Sequence, residues 1–228
     1  MNLSEFLQEE LMDATVFTIP IGKNGIPIAE STVVSWVVMA VIIALCIFLG
    51  SNLKVNHISK RQAAAEFIVT KLEGIINGLV GENGRDYVPY LFTVLLFLGL
   101  SNIMGAFGFK PPTKSLIVTA AMALMSIVVV QIAFIRAKSA KKWLRSFVNP
   151  IHILDLITRP LSLCMRLFGN VLGAFVVMEL LNHTTKVLVP AVAGLYFDFF
   201  DGLLQAYVFV YLTGSYIMEA TELPESEH

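Results

Sequence analysis

The stretch Arg159 to Asn170 reads R-P-L-S-L-C-M-R-L-F-G-N and sets Arg166 among leucine, cysteine, methionine and phenylalanine, a run apolar enough to lie in a lipid bilayer. Arginine cannot escape the cost of that setting by losing its proton, because a guanidinium stays protonated in proteins. A charge at the bilayer centre costs roughly 2.5 to 3.5 kcal/mol or more, and such residues face a protein interior or a water-filled cavity. Two readings are open at this point. Arg166 lies near a helix end and snorkels its head to the interface, or it is held at depth for an electrostatic purpose.

The surrounding chain sets the medium. Of its 228 residues 56% are hydrophobic and 14% are charged, whereas soluble domains run near ~25% charged. This composition indicates one integral membrane domain with several spans and excludes a soluble enzyme. The formal net charge of −1 gives no basis for binding nucleic acid. Cys46 and Cys164 stand far apart in apolar segments, so they form neither a disulfide framework nor a metal cluster. Both are expected to be small buried hydrophobes. No phosphate-binding loop of the G-x-x-x-x-G-K-[ST] kind occurs, and no cofactor is expected.

Three stretches are long and free enough of charge to cross a bilayer, which takes ~20 residues: Val33 to Gly50, Tyr87 to Phe109 and Ser115 to Ile135. Leu154 to Leu181 and Val187 to Met218 are also long and mostly apolar, but Arg166, Glu179, Asp198 and Asp201 interrupt them. They are expected in the membrane as long helices packed on protein rather than on bare lipid. Residues 55–83 carry Ile68, Leu72, Ile75, Ile76 and Leu79 at helical spacing, with Lys71, Glu73 and Asn77 on other faces. That pattern predicts an amphipathic helix at the membrane surface or against a partner. The architecture expected is therefore all-α, with about five membrane helices and one interfacial helix. The last two helices, within 150–220, would form a long hairpin.

Loop charges orient the chain. Lys54, His57, Lys60, Arg61 and Lys71 follow the first span, and Arg136, Lys138, Lys141, Lys142 and Arg145 follow the third. By the positive-inside rule both groups are cytoplasmic. Residues 1–30 then form an extracytoplasmic tail, acidic at Glu5, Glu9, Glu10 and Asp13, with a turn around Gly22 to Pro27, and the C-terminus is cytoplasmic. That acidic start is also unlike the positive opening of a signal peptide.

The interrupting polar residues form a pattern. Arg166 and Asn170, at i and i+4, share a helix face. Asp198, Asp201 and Gln205, at i, i+3 and i+7, share another. In a hairpin with its tip near Asn182 to Pro190, Glu179, Asp198 and Asp201 gather in the outer half of the membrane and Arg166 lies deeper. Buried carboxylates titrate closer to neutral pH, so the set suits a channel that carries ions partway across and stops. Plainer readings stand beside this one. Glu179 at a helix tip in water, the two aspartates paired with Lys186, and Asn170 and Gln205 as interhelical hydrogen-bond glue would each account for a residue singly.

At these residues the chain resembles subunit a of the bacterial F-type ATP synthase. Pro160 to Asn170 keeps the family's S-L-x-x-R-L-F-G-N pattern. Leu203 to Leu212, L-L-Q-A-Y-V-F-V-Y-L, is similar to its L-Q-A-F-I-F segment. G-F-K-P-P-T at Gly108 to Thr113, with Val118-Thr119, follows a span holding Leu100-Ser101-Asn102, as in the family. The resemblance covers most of the chain from the second span onward. It implies that Arg166 faces the ion-binding carboxylate of a rotating c-ring, with Asn170 and Gln205 flanking it. Two offset half-channels would carry H+ or Na+, and the partners would be the c-ring, peripheral-stalk b subunits and lipid in the bacterial plasma membrane. It implies strongly tilted last helices and no active site of the chain's own. The chain departs from the pattern at two places. Some members carry Glu nine positions after the arginine, where Phe175 stands here, and Glu179 one turn further on would replace it. Some carry His where Asp198 stands. A lone secondary transporter is the competing reading, but the chain has no inverted repeat and no paired Gly/Pro-broken helices. A simple membrane anchor leaves four charges in apolar segments without a purpose.

Overall fold

The computed structural model describes residues 15–19, 26–51, 59–106, 111–138, 150–184 and 188–222, and at Glu179 and Asp198 it describes the backbone only. A short antiparallel hairpin, β1 (Thr15–Ile19) and β2 (Ile26–Ala29), precedes the membrane part, with Phe17 opposite Ile28 and Ile19 opposite Ile26. Sequence reading placed only a tail with a turn here. The signal for strands is the β-branched and aromatic run T-V-F-T-I.

Among the described residues seven α-helices follow, α1 (Glu30–Gly50), α2 (Lys60–Val80), α3 (Val88–Ala106), α4 (Leu116–Lys138), α5 (Pro150–Thr184), α6 (Leu188–Leu195) and α7 (Gly202–Thr221). A π-helical turn, Tyr196–Asp201, joins α6 to α7. Among the described residues five stretches are long and apolar enough to cross a membrane: Glu30–Gly50, Glu82–Gly105, Leu116–Lys138, Ile153–Met178 and Val192–Thr221. The chain is an all-α multi-pass membrane protein apart from its leading hairpin.

Local chemistry sets several helix ends. Ser59 caps α2, its Oγ accepting the Gln62 amide at 3.2 Å. Gly81 ends α2 at φ +69°, a left-handed conformation that glycine adopts without penalty. Pro111 stands extended before a short 3-10 turn, Pro112–Lys114, so α3 and α4 are separate helices.

Lipid is as apolar as leucine, so membrane helices associate through close packing and hydrogen bonds. The core lies where α3, α4, α5 and α7 meet, around Leu91, Leu98, Ala123, Val130, Leu163, Leu167, Phe209 and Ile217. Small residues let backbones approach. A Cβ on Gly202 would lie 2.7 Å from Asn102 Cβ, and one on Gly214 would lie 3.2 Å from Leu79 Cβ. Polar links add direction: Tyr90 and Ser126 hydroxyls bond at 2.9 Å between α3 and α4. By contrast α1 is almost unburied, with only Ser31 and Val38 inside. Cys46 is exposed there, against the expectation of a buried cysteine, because α1 turns most of its surface outward; Cys164 is buried.

Contacts sort the helix ends into two groups. Asn83 Nδ2 donates to Thr221 O at 3.5 Å, Lys138 Nζ to Glu219 O at 3.3 Å and Arg159 to Glu219 Oε1 at 2.8 Å. The starts of α3 and α5 therefore share one side with the ends of α4 and α7. On the other side Asn102 Nδ2 donates to Gly202 O at 2.8 Å, and Lys114 Nζ sits 3.8 Å over the Phe175 ring. α2 packs against α7 and α3 through Ile76 and Val80. Phe67, Ile68 and Ile75 remain exposed, so the apolar stripe predicted for α2 divides between core and outer surface.

Candidate functional site

Arg166 lies at the middle of the apolar stretch Ile153–Met178. Its azimuth follows from the helix. Leu163, Cys164 and Leu167 are buried against the core, with Cys164 Sγ 3.7 Å from Thr119 Oγ1 of α4. Arg166 comes off the opposite side and is exposed, as are Leu161, Ser162, Met165, Gly169 and Gly173. A Cβ added at Gly169 or Gly173 would meet nothing within 4 Å. The outer face of α5 is thus apolar and locally thin beside one permanent cation. Among the described residues no carboxylate lies within salt-bridge distance of Arg166.

Asn170, one turn beyond, is half-buried. Across the core, Gln205 of α7 is 6% exposed, and its Nε2 has no hydrogen-bond partner among the described residues. Ser101 Oγ of α3 is also buried and has no hydrogen-bond partner among the described residues. Ser101 adjoins Asn102, which accepts from Thr113 Oγ1 at 2.8 Å while donating to Gly202 O. A buried polar layer therefore runs between α3 and α7 on the side away from Arg159. Orphaned buried polar atoms are costly, and ordered water commonly satisfies them. Asn102, Thr113 and Ser101 carry this layer; in the sequence they enter only as part of the family resemblance and not among the site residues. The signal was present as S-N ending an otherwise apolar helix.

Asp201 is half-buried at the last position of the π turn. The turn matters for the face predicted from spacing. Gly202 N–H donates to Phe197 O and Phe199 O, and the wider i→i+5 pattern breaks the 3.6-residue period between Asp198 and Asp201. Asp201 and Gln205 keep the helical i, i+4 relation. Lys186, their suggested counter-ion, lies outside the described residues, as do His57 and Lys110. No hydrogen bond or salt bridge joins Arg166, Asn170, Asp201 and Gln205 to one another among the described residues.

A second charged cluster went unread in the sequence. Arg159, on α5, donates to Glu219 Oε1 of α7 at 2.8 Å and to Asp155 Oδ2 at 3.3 Å, and lies 4.7 Å over the Tyr216 ring. Close by, a cavity of about 280 Å³ is lined by Asn83, Asp86, Tyr87, Arg136 and Thr221. None of the sequence-predicted site residues lines it.

Comparison with known proteins bears on all of these positions. A family model described as ATP synthase A chain matches residues 32–218. Similar proteins include ATP synthase subunit a of Moorella thermoacetica, 32% identical over 84% of this chain and 90% of that one. Another is ATP synthase subunit a of Syntrophobacter fumaroxidans, 33% identical over 82% of each chain. A third, from Propionigenium modestum, is named ATP synthase subunit a, sodium ion specific, and is 30% identical over 86% of this chain and 75% of that one. Such a match across five apolar helices and the arginine motif leads to one conclusion: the chain belongs to the ATP synthase A chain family, the membrane-embedded, ion-translocating subunit of that complex's stator.

Proposed function

We propose that Arg166 is the essential arginine of a stator that passes ions to and from a rotating ring of carboxylate-bearing subunits. One observation carries the reading: a permanent cation exposed midway along an apolar helical stretch long enough to span a bilayer, with no carboxylate near it among the residues whose side chains are described. Lipid is a poor neighbour for that charge. A partner helix bearing a carboxylate supplies the missing counter-charge, and the bare surface at Gly169 and Gly173 lets it approach closely.

In this mechanism an ion enters from outside through a half-channel served by Glu179, Asp198 and Asp201, with Gln205 and Asn170 leading inward. It neutralises a ring carboxylate, and the neutral site turns into lipid. A second half-channel, opening to the cytoplasm, releases the ion. Arg166 stands between the two paths. It holds the emptied, negative site, and it bars direct passage because one cation repels another. Each elementary charge crossing the potential supplies about 2.3 kcal/mol per 100 mV. The partners are the c-ring and the peripheral-stalk b subunits, and the exposed faces of α1 and α2 are open to such contacts. The membrane in this reading is the bacterial plasma membrane, and the loop charges favour an N-terminus outside and a C-terminus in the cytoplasm. The nucleotide chemistry belongs to other subunits.

The test is Arg166→Ala in the whole complex, reconstituted in vesicles. Assembly is expected to persist, while ATP-driven ion uptake and ion-driven synthesis are lost. Arg166→Lys is expected to fail almost as fully, since lysine lacks the planar fork and sheds its proton when desolvated. Full coupled synthesis in Arg166→Ala vesicles refutes the mechanism. Running the same uptake with and without Na+ assigns the coupling ion.

A further inference from the structure

Arg159 and Arg166 stand at i and i+7 on α5. Seven residues advance an α-helix by almost two turns, so the two side chains leave within about 20° of one azimuth and about 10 Å apart along the axis. Pro160 lies between them, inside the helix. Its ring removes one backbone hydrogen bond and makes that turn the soft place of α5.

On the Arg166 side of Pro160, α5 is held by Leu163, Cys164 and Leu167 against α4. On the other side the hold is polar. Arg159 Nη2 meets Glu219 Oε1 of α7 at 2.8 Å and Asp155 Oδ2 at 3.3 Å, and its guanidinium lies over Tyr216 of α7. Lys138 of α4 donates to the Glu219 carbonyl, so three helices converge on that residue. The Arg159 side chain is only 20% exposed, which fixes it better than a surface ion pair would be. Elsewhere α5 touches the last segment at Met178, whose Cε would lie 3.3 Å from a Cβ on Gly194. Between these two points sit Arg166 on α5 and Gln205 on α7.

We propose that Arg159, through its bridge to Glu219 and its stacking on Tyr216, is a positioning residue that sets the spacing and rotation of the Arg166 helix against the Gln205 helix. This inference rests on the reading of Arg166 above. With the clamp lost, the turn below Pro160 swings free and Arg166 no longer meets the passing carboxylate at a fixed place. Ion movement then slips relative to ATP turnover, although every helix remains.

The experiment uses the complete complex in vesicles, with ATP hydrolysis and ion uptake measured together and normalised to assembled complex. Arg159→Gln and Glu219→Gln are each expected to lower ions moved per ATP about tenfold, the scale of a misplaced functional group. Hydrolysis should continue. Arg159→Lys keeps the charge and is expected to retain most of the coupling. The double variant is expected to be no worse than either single one, as for two halves of one interaction. A merely structural role would lower the amount of complex and leave ions per ATP unchanged. Unchanged coupling in both single variants overturns the proposal, and so does failure of both to assemble. Should Arg159→Gln alone fail to assemble, Glu219→Gln decides, because that side chain is 62% exposed. Arg166→Ala runs alongside. If it pumps normally the reading of Arg166 is wrong; if it is dead while both clamp variants couple fully, only the clamp is wrong.

Discussion

Single charges decide this chain, and they differ in how far spacing reveals them. Arg166 stands out as a candidate in the sequence because an arginine among leucines, followed by F-G-N, is conspicuous in any hydropathy reading. The Arg159–Glu219 contact does not stand out, because it joins residues sixty apart and no local pattern announces a contact of that separation. The outer acids fall between these cases. If Glu179, Asp198 and Asp201 line an aqueous path, single replacement by Gln or Asn should slow ion uptake only partly, since neighbouring acids and water can substitute. Replacing Glu179 and Asp198 together should cost clearly more than the two single losses combined, read as a coupling in a double-mutant cycle of uptake rates. If even the triple replacement leaves uptake and its pH dependence unchanged, the three are surface residues without a part in transport.

Helices and turns follow rules of their own. α1 and α4 could be read from charge-free runs, because a span must satisfy its backbone within itself. The break at Tyr196–Asp201 could not, since a π turn has no composition distinct from an α turn and is set by packing on either side. Gly202, which follows it, shows that packing most sharply. Any Cβ there would overlap Asn102 Cβ at 2.7 Å, and the Asn102 side chain also bonds the Gly202 carbonyl. Gly202→Ala is therefore expected to push α7 from α3 and destabilise the fold by about 1–3 kcal/mol, the usual penalty of overpacking. The measurement is thermal unfolding in detergent, with Ala206→Gly as the opposite control, a small cavity in the same interface. A Gly202→Ala protein as stable as the parent would show that the two helices part without cost.

Over the whole molecule, the two groups of helix ends predict which positions share a compartment. Cysteines replacing Ser51 and Glu222, in a background lacking Cys46 and Cys164, should react with an impermeant reagent from the cytoplasmic side only, and one replacing Glu30 from outside only. Reaction of Glu30 and Glu222 positions from the same side would mean an even number of crossings. The charge asymmetry of the loops is the basis of this expected orientation, whereas the sequence was silent on how unevenly the helices share the core. α1 buries only Ser31 and Val38, although it is the most apolar of the five candidate spans. The cohesion of the remaining helices thus owes little to it. α1 behaves as a companion segment joined by peptide bonds, whose natural neighbours are lipid and other subunits, and a break in the chain after Ser51 would divide the protein at its least interdependent seam.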